Sequence, residues 1–599
     1  MPFLVKTANK VLSSTLILSA VCGLLATLSF APFNWPVVGW FALWPIFIFA
    51  KRYSSSVWRL IGSGLLIAFF ICAFAFYWTV HLFVVYGGLP LWMSLFVFAI
   101  HTVLLNLKIP LLVVALGLLR RKRFRKLRVN SILLVALIGT LFDKYTPQIF
   151  NWYWGNIIAG NEFLVQIADI VGIHGITFLF FVVSYAAYRF WSLLVIKPIS
   201  RQSSMPISVR TFKLVFRKPV YLRYGWVITL WVVWIGYGVI QKYRYESIQS
   251  DLPKARIAAI QPDAPLEKYG ESRLSESTIN NLIANTIPML TEEAFQAASS
   301  IQPNQISTER PTKQNKLDLI VLPESAVPYY TTQDNLLTRR NGLFSAAFES
   351  MIVQLATGYQ SPVFFNEISI DVGQNPRTGQ PRVEAYNSAP LFNSDGQRES
   401  VYLKRVLIAF GEQIPYATFL DETGLIELVP ESVRYSRFTP GDHFVYLPYK
   451  KNHYFLPLIC YEILDPEYVR EFVQHTENGN EADYIVNITQ DRWYGKTIET
   501  FQHYELGRIR AVEIRKAIVR STNSGTSGMV DLAGNYAAPL YGPIFTGQEQ
   551  QAVQVFDVPV HRNQKNPTLF VRFGNHWLWL PLLIWLITFL LGWRKTNIN

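Results

Sequence analysis

The sequence predicts a bundle of about eight membrane-spanning α-helices that carries a layered α/β domain. The chain is 51% hydrophobic and 15% aromatic but only 16% charged, whereas ordinary soluble domains are roughly 25% charged. Its long apolar runs lie in the first 241 residues and near the C-terminus. Between them, strand-like and helix-like patterns alternate through a long polar stretch, as is typical of α/β domains. A length of 599 residues also predicts more than one domain.

The net charge of +14 raises the question of nucleic-acid binding, which the distribution of charge answers. Residues 242–573 contain 31 basic and 38 acidic side chains, a net of −7. The rest of the chain contains 24 basic and three acidic side chains, a net of +21. The basic excess therefore belongs to the apolar part, and the polar part is a poor partner for phosphates. We predict no nucleic-acid partner.

Eight apolar runs are candidates for membrane spans, which need about 20 residues each. They are residues 11–31, 35–50, 60–85, 91–119, 132–142, 163–194, 226–240 and 577–591. Basic residues gather in alternate connections, which predicts that both termini are cytoplasmic. We therefore expect a seven-span bundle over 1–241, an outward-facing domain over 242–573, and a last span with a cytoplasmic tail over 574–599. In a bacterial inner membrane the outward side is the periplasm.

Two details of the spans remain open at the level of sequence. The run 91–119 contains Lys108 and Pro110, and the charges around it favour one tilted or kinked helix. The first run has a cleaved signal peptide as its alternative, but it is longer than usual for one. Polar residues within spans are suspects for function, although we expect Lys108 and Arg189 to snorkel and the others to lie near the interface. The others are His101, Asp169 and His174.

Residues 242–573 show the alternation of an α/β domain. Apolar runs predict strands at 256–260, 317–322, 353–357, 386–392, 454–459, 484–488, 517–521, 528–532 and 553–558. Helical patterns cover 275–299 and 500–516, the second with alternating charges on one face. The predicted fold of this part is therefore layered.

Three residues beyond strand ends are candidates for acyl-transfer chemistry, because catalytic groups of α/β folds often lie there. They are Glu324, Lys404 and Cys460, and Cys460 is the only cysteine of the outer domain. A carboxylate can deprotonate a thiol, and an ammonium can stabilise an oxyanion. Each also has a structural alternative: a turn residue, a surface charge and a buried core thiol, respectively.

Several motifs make this interpretation specific. They occur in the order Leu322-Pro-Glu-Ser-Ala-Val-Pro328, Lys404, Phe410-Gly-Glu-Gln-Ile-Pro415, Ile459-Cys-Tyr-Glu-Ile463, Asp491-Arg-Trp-Tyr-Gly495, Gln502-His503 and Arg520-Ser-Thr-Asn-Ser-Gly525. Ser29-Phe-Ala-Pro-Phe33 and Phe438-Thr-Pro-Gly441 accompany them. Together they resemble the bacterial apolipoprotein N-acyltransferases, membrane enzymes with a nitrilase-superfamily domain.

The resemblance implies a nitrilase-like αββα sandwich on an eight-span bundle. It places a catalytic triad on Glu324, Lys404 and Cys460. Supporting roles fall on three residues near the triad, namely Glu412, Tyr461 and Glu462. Substrate contacts are expected from Tyr269, where the family has a tryptophan, and from Tyr329 and Trp493. Tyr329, Tyr330, Phe364 and Phe365 are candidates to line the path of an acyl chain, with core packing as the alternative.

Besides Tyr269, the sequence departs from the family pattern in two places. The segment 406–409, Val-Leu-Ile-Ala, stands where the family has His-Leu-Val-Pro, which puts the loop that presents Glu412 in question. Gln490 replaces an asparagine before Asp491, and Arg492 stands where a small residue is common. These changes leave the three triad residues intact but put the expected contacts with the substrates in question.

The implied reaction moves an acyl chain from a phospholipid, expected to be phosphatidylethanolamine, to Cys460 and then to a diacylated apolipoprotein. We predict no cofactor and no metal, and a multi-pass protein of the bacterial inner membrane. A membrane-anchored amidase or hydrolase with the same triad is the first alternative. A transporter or receptor with an inert nitrilase-like domain is the second.

Overall fold

The computed structural model describes residues 14–124, 131–199, 218–267, 273–300, 317–374, 381–409, 411–414, 419–420, 423–428, 438–475, 479–536, 549–563 and 565–597. The chain forms two compact units. The helical unit comprises Met1–Val80, Pro90–Arg244 and Thr568–Asn599. The α/β unit comprises Tyr245–Pro567 together with a short segment from the first part of the chain, His81–Leu89.

The helical unit is built from apolar helices joined by short turns. Its main α-helices are Thr15–Ser29, Trp44–Arg52, Val57–Ala75, Leu91–Leu105, Lys108–Leu118, Ser131–Tyr145, Ala168–Ile199, Lys218–Asp251 and Trp579–Asn597. Shorter helical segments are Pro36–Gly39, Trp78–His81, Asn156–Ala159, Leu164–Ile167, Leu569–Phe573 and His576–Leu578. The helix Ala168–Ile199 is kinked at Gly172, whose φ of 63° suits a residue without a Cβ.

Three described helices are long and apolar enough to cross a membrane, namely Val57–Ala75, Leu164–Leu193 and Tyr224–Asp251. The pair Leu91–Leu104 and Lys108–Leu118 bends by 48° and fits a broken span or a re-entrant loop. The expected bend in this run is therefore present. Two further apolar helices, Thr15–Ser29 and His576–Leu591, are shorter. The helical, apolar character is confirmed, whereas the count of eight spans is not reached by the described residues.

Lys108 lies at the break between those two helices and does not snorkel, contrary to the expectation from sequence. Its side chain is 1% exposed, and its Nζ lies 2.8 Å from Asp143 Oδ1. The same ammonium donates to Gln148 Oε1 at 3.0 Å and to the carbonyl of Trp152 at 2.5 Å. Asp143 in turn accepts hydrogen bonds from the Trp154 amide and from Thr177. The carboxylate of Asp143 makes burial of the Lys108 charge possible. The sequence around Lys108 did not reveal this partner, because Asp143 lies 35 residues further along the chain.

Replacing Lys108 by Met is expected to destabilise the protein by about 3–5 kcal/mol, because Asp143 then remains buried without its cation. The measurement is the denaturation midpoint of the full-length protein in detergent. Lys51→Met is the matched control, since Lys51 is exposed in the last turn of its helix. Equal midpoints for both variants would contradict a structural ion pair.

The α/β unit contains twelve described strands. They are β1 Lys254–Gln261, β2 Leu319–Val321, β3 Val363–Phe364, β4 Glu367–Gln374, β5 Pro381–Phe392, β6 Arg398–Leu403, β7 Leu447–Lys450, β8 His453–Ile459, β9 Ala482–Thr489, β10 Ile518–Thr522, β11 Gly528–Val530 and β12 Ala552–Pro559. One sheet has the order β12-β1-β2-β3-β5-β4, with β6 paired to β5. The other has the order β11-β10-β9-β8-β7. Parallel pairing joins β1 to β2 to β3, and β8 to β9 to β10.

The two sheets pack face to face, with helices outside. Between the sheets, Phe364 of β3 meets Phe455 of β8 with ring centroids 5.0 Å apart, and Ser521 of β10 donates to the carbonyl of Ile260. On the outer face of the first sheet, Ile260 and Ile320 pack against the helices around residues 276–300 and 346–359. Alternate residues of each strand thus face opposite layers. This arrangement is the predicted layered α/β fold.

The described helices of this unit are Leu82–Tyr86, Glu276–Asn281, Leu282–Thr286, Ile287–Ser300, Leu336–Arg340, Ala346–Tyr359, Leu425–Leu428, Cys460–Leu464, Pro466–Gln474, Arg492–Tyr494 and Glu499–Ile514. The strand expected at 353–357 is wrong, because these residues lie within Ala346–Tyr359. That helix buries Phe348, Met351, Ile352 and Leu355, which recur at helical spacing. Ser345 caps its start through the amide of Phe348.

Candidate functional site

Three loops at the ends of β2, β6 and β8 present the predicted triad. Glu324 follows β2 by three residues, Lys404 follows β6 directly, and Cys460 follows β8 directly. Lys404 Nζ lies 3.7 Å from Glu324 Oε1, and the carboxyl of Glu324 hydrogen-bonds the thiol of Cys460. The structure therefore brings the three side chains together. Their chemical roles remain a proposal.

The nucleophile candidate, Cys460, is held in an unusual backbone conformation. Its φ is 55°, in the left-handed region that side chains rarely adopt. It ends strand β8 and begins the 3-10 helix Cys460–Leu464. Strained turns of this kind concentrate at functional sites. Here the turn directs the thiol of Cys460 toward Glu324.

Burial keeps this thiol protonated at rest. The pKa of Cys460 is raised well above its ordinary value, first by burial and then by the charge of Glu324, while the charge of Lys404 opposes the rise. The pKa of Glu324 is also raised by burial, although Lys404 lowers it. Because both groups face one another in a dry site, deprotonation of Cys460 must accompany its attack on a substrate. Glu324 is placed to accept that proton.

Lys404 is the cation of the site. Its side chain is fully buried, and its Nζ lies 2.8 Å from Glu412 Oε1. Burial alone would lower the pKa of Lys404, but Glu412 and Glu324 raise it above the ordinary value. The ammonium therefore stays charged beside the thiol. A fixed positive charge at this point can stabilise a developing oxyanion.

Asn387, in the middle of β5, links the two glutamates. Its Nδ2 donates to Glu324 Oε1 at 3.0 Å and to Glu412 Oε1 at 2.9 Å. Its own carbonyl accepts from the amide of Lys404 at 2.9 Å. Sequence reasoning missed Asn387, because a single amide within a strand carries no recognisable pattern. The asparagine orients both carboxylates toward Lys404.

Glu412 and Glu462 hold the loop after Lys404 through its backbone. Glu412 accepts from the amide of Ile408 at 2.9 Å. Glu462 accepts from the amides of Arg405 and Val406, and from Ile459 at the end of β8. The changed segment 406–409 is thus anchored by amide groups that any residue other than proline would supply. With these residues in the segment, Glu412 contacts both Lys404 and Asn387.

Tyr461 packs beneath the nucleophile. Its ring stacks on His503 with centroids 4.4 Å apart, and its hydroxyl donates to Glu499 at 2.8 Å. Burial and the charge of Glu499 raise the pKa of Tyr461 well above its ordinary value. The phenol therefore remains protonated and acts as a fixed donor.

The expected substrate-contacting residues have different positions. Trp493 is 39% exposed and meets Tyr86 edge-on at 4.9 Å, so its ring is accessible. The hydroxyl of Tyr329 bonds Glu267, its ring lies under Arg273, and no bond joins it to the triad among the described residues. Tyr269 lies outside the described residues.

Two of the aromatic residues suggested for an acyl path belong to the core. Phe364 and Phe365 are both 0% exposed. Phe364 packs between the sheets against Phe455, and Phe365 packs against Phe348. The acyl-path prediction is therefore wrong for these two residues, since their neighbours are apolar core side chains.

A buried polar cluster that sequence reasoning missed lies beneath Tyr461. Asp491, Glu499 and His503 place their side-chain ligand atoms within 4.8 Å of one another. Such a set can bind a metal ion, but Arg520 already contacts Asp491 at 2.6 Å and His503 at 3.0 Å. The guanidinium supplies the positive charge that these groups require. The helix Glu499–Ile514 carries this cluster inward, so its alternating charges are buried rather than solvated.

Activity is expected to fall on acidification at a pH above the ordinary pKa of glutamate, which is about 4.3. Glu324 must be ionised to accept a proton, and its pKa is raised; activity is therefore present above that pKa and is lost as pH decreases through it. The measurement is the pH dependence of kcat/KM with a soluble activated ester. An acidic limb at the ordinary glutamate value would contradict this role.

Comparison with known proteins agrees with the fold. The family described as apolipoprotein N-acyltransferase N-terminal domain matches residues 22–186, and the carbon-nitrogen hydrolase family matches residues 256–552. Apolipoprotein N-acyltransferase 2 of Leptospira interrogans is 29% identical over 96% of this chain and 94% of that protein. Apolipoprotein N-acyltransferases of Bdellovibrio bacteriovorus and Chlorobaculum tepidum are each 24% identical over more than nine tenths of each chain.

The paired sheets, with a Glu-Lys-Cys site at their strand ends, define a carbon-nitrogen hydrolase domain of the nitrilase superfamily. Here that domain follows a helical unit of a second, distinct family. The chain belongs to the apolipoprotein N-acyltransferases, which confirms the family inferred from its motifs.

Proposed function

We propose that this chain transfers an acyl chain from a membrane phospholipid, by way of a thioester on Cys460, to the N-terminal amine of a diacylglyceryl-cysteine lipoprotein. The observation that carries the proposal is the contact among Cys460, Glu324 and Lys404 in a chain of this family. Phosphatidylethanolamine is the proposed donor. The alternative is a membrane-anchored amidase or hydrolase with the same triad, in which water instead of an amine is the acceptor.

The first step forms the acyl-enzyme. Glu324 takes the proton of the Cys460 thiol as the sulfur attacks the carbonyl carbon of the phospholipid ester. Lys404 and the backbone N–H of Tyr461 stabilise the tetrahedral oxyanion. When the oxyanion collapses, the carbon–oxygen bond breaks and the leaving alkoxide takes the proton from Glu324. A lysophospholipid departs and a thioester remains on Cys460.

The second step uses an amine instead of water. The free amine of the lipoprotein cysteine attacks the thioester carbonyl, and Glu324 accepts a proton from the attacking nitrogen. The carbon–sulfur bond then breaks, an amide forms, and the thiol of Cys460 is restored with that proton. Glu412 positions Lys404 through both half-reactions, as its 2.8 Å contact supports.

The location of both substrates supports a membrane setting. We propose a multi-pass protein of the bacterial inner membrane, with the bundle over 1–241, a periplasmic catalytic domain over 242–573 and a last span within 574–599. The basic excess in the apolar parts of the sequence supports this orientation. Tyr269, Tyr329 and the accessible Trp493 are proposed to contact lipid substrates.

The decisive experiment supplies purified protein with labelled phosphatidylethanolamine and a diacylated lipopeptide. Formation of triacylated peptide supports transfer. Release of free fatty acid with unchanged peptide identifies a hydrolase. The domain is inert if neither product forms and if lipoprotein maturation stays intact after all three triad side chains are replaced. Omitting the peptide is the control, because the thioester should then accumulate.

A further inference from the structure

We propose that Arg520, Asn487 and His503 form a positioning network that aims the backbone N–H of Tyr461 at the oxyanion. The proposal rests on the proposed function, in which that N–H is an oxyanion donor. It assigns to three buried residues beyond the triad a task in the acylation step. None of them touches the reacting atoms, so they are positioning residues.

The network begins as a row across neighbouring strands. Leu458 of β8, Asn487 of β9 and Arg520 of β10 are register partners in the parallel sheet. Arg520 donates to Asn487 Oδ1 at 3.0 Å. Asn487 Nδ2 donates to the carbonyl of Cys460 at 3.2 Å and to that of Leu458 at 3.4 Å. Arg520 therefore fixes which way the asparagine amide points, and the asparagine holds the nucleophile's carbonyl.

A second path leads from Arg520 to the same peptide. Arg520 also lies 3.0 Å from His503 Nδ1. Burial and the charge of Arg520 lower the pKa of His503 to about 4, so the imidazole is neutral. Its Nδ1 lies between Arg520 and Asp491 Oδ1, which is 3.1 Å away, and its ring lies near the backbone of Cys460. The same ring supports the side chain of Tyr461 by stacking.

The geometry of the peptide bond turns these contacts into control of the oxyanion site. A trans peptide is planar, so the carbonyl of Cys460 and the N–H of Tyr461 point in opposite directions. Fixing the carbonyl therefore fixes the N–H. Cys460 has a φ of 55°, a conformation that persists only where its surroundings determine it. The amide of Asn487, which donates to the carbonyl of Cys460, is part of those surroundings.

Asp491 balances the charge of the network. It lies 2.6 Å from Arg520 and 3.1 Å from His503 Nδ1. Burial opposes its ionisation, but the charge of Arg520 prevails and lowers the pKa of Asp491 to about 2. Arg520 and Asp491 thus form a neutral buried pair. The pair remains in place when Asn487 is changed, which allows the path to Cys460 to be tested separately.

The test compares two reactions of the same thiol in full-length protein in detergent. Attack on p-nitrophenyl butyrate forms a carbon–sulfur bond through an oxyanion and releases p-nitrophenolate. Alkylation by iodoacetamide displaces iodide directly and forms no oxyanion. In Asn487→Asp the donor to Cys460 is lost while the contact with Arg520 is kept. We expect the ester burst to slow about 100-fold, as for loss of an oxyanion donor, and the alkylation rate to stay unchanged.

His503→Gln is the second variant, and it is expected to slow the burst less, because it removes the ring stacked on Tyr461 while Asn487 still donates to the carbonyl of Cys460. Ser521→Ala is the control, since it removes a buried hydrogen bond of β10 that leads to Ile260 instead; its burst should match that of the unchanged protein. Equal slowing of burst and alkylation in Asn487→Asp, or slowing of neither, would overturn the network.

The outcome is separable from that of the proposed function. An unchanged protein that gives the ester burst but never acylates lipopeptide would refute acyl transfer to lipoproteins and leave the network supported by its variants. An unchanged protein without any burst would overturn both.

Discussion

Cys460→Ala protein is expected to form no thioester and to lose transfer activity by about 10⁶-fold in kcat, the scale seen when a nucleophile is removed from a catalytic triad. Only two other cysteines exist in the chain, Cys22 and Cys72. Both are buried in helices of the helical unit, so neither can replace the missing thiol. The measurement is transfer of labelled acyl chain from phosphatidylethanolamine to the protein.

The control for this prediction is Cys22→Ala/Cys72→Ala, which should retain the label on Cys460 and full transfer. Cys460→Ala should remain folded, because alanine fits the space of a buried thiol and keeps the same backbone contacts. A labelled acyl-enzyme in Cys460→Ala, stable to denaturation, would show that another side chain is the nucleophile.

The sequence indicated where the three candidate residues lie, because each of them is next to a strand end. Glu324 and Cys460 follow apolar runs that end abruptly, and such ends are recognisable from one chain alone. Lys404 follows β6, a strand with mixed burial, and only the motif resemblance made its position meaningful. Residues that lie next to a recognisable strand end were therefore predictable.

The residues that were missed depend on partners distant in sequence. Asn387 has meaning only because β5 passes between Glu324 and Glu412. The alternating charges on the helix Glu499–Ile514 gave no sign of burial in the sequence, yet they are buried, and Arg520 of β10 lies beside His503 of that helix. Lys108 likewise depends on Asp143. Buried charges cannot be told from exposed ones until their partners are known.

The assignment of the segment His81–Leu89 to a domain also depends on partners that are distant in sequence. In sequence it lies between two apolar helices, yet it belongs to the α/β unit. Tyr86 donates to the carbonyl of Arg492 at 3.2 Å and its ring meets Trp493. These long-range contacts support the loop that carries the accessible tryptophan, and hydropathy could not reveal them.

Lys404→Met is expected to slow thioester formation by about 10²–10³-fold, since it removes a charged oxyanion donor. It should also move the acidic limb of the pH profile to higher pH. In the unchanged protein, burial raises the pKa of Glu324 and the charge of Lys404 lowers it. Without the ammonium, the opposing charge of Glu412 remains, so the pKa of Glu324 rises further. Ionised Glu324 is then lost at a higher pH than before.

The double variant Lys404→Met/Glu412→Gln separates the two effects. Removing the charge of Glu412 relieves the repulsion that raises the pKa of Glu324, so the acidic limb should return toward its original position. The rate at high pH should stay low, because the oxyanion still lacks its cation. Burst kinetics with p-nitrophenyl butyrate across the pH range measure both quantities. An acidic limb that does not move in Lys404→Met would show that Lys404 does not control the ionisation of Glu324.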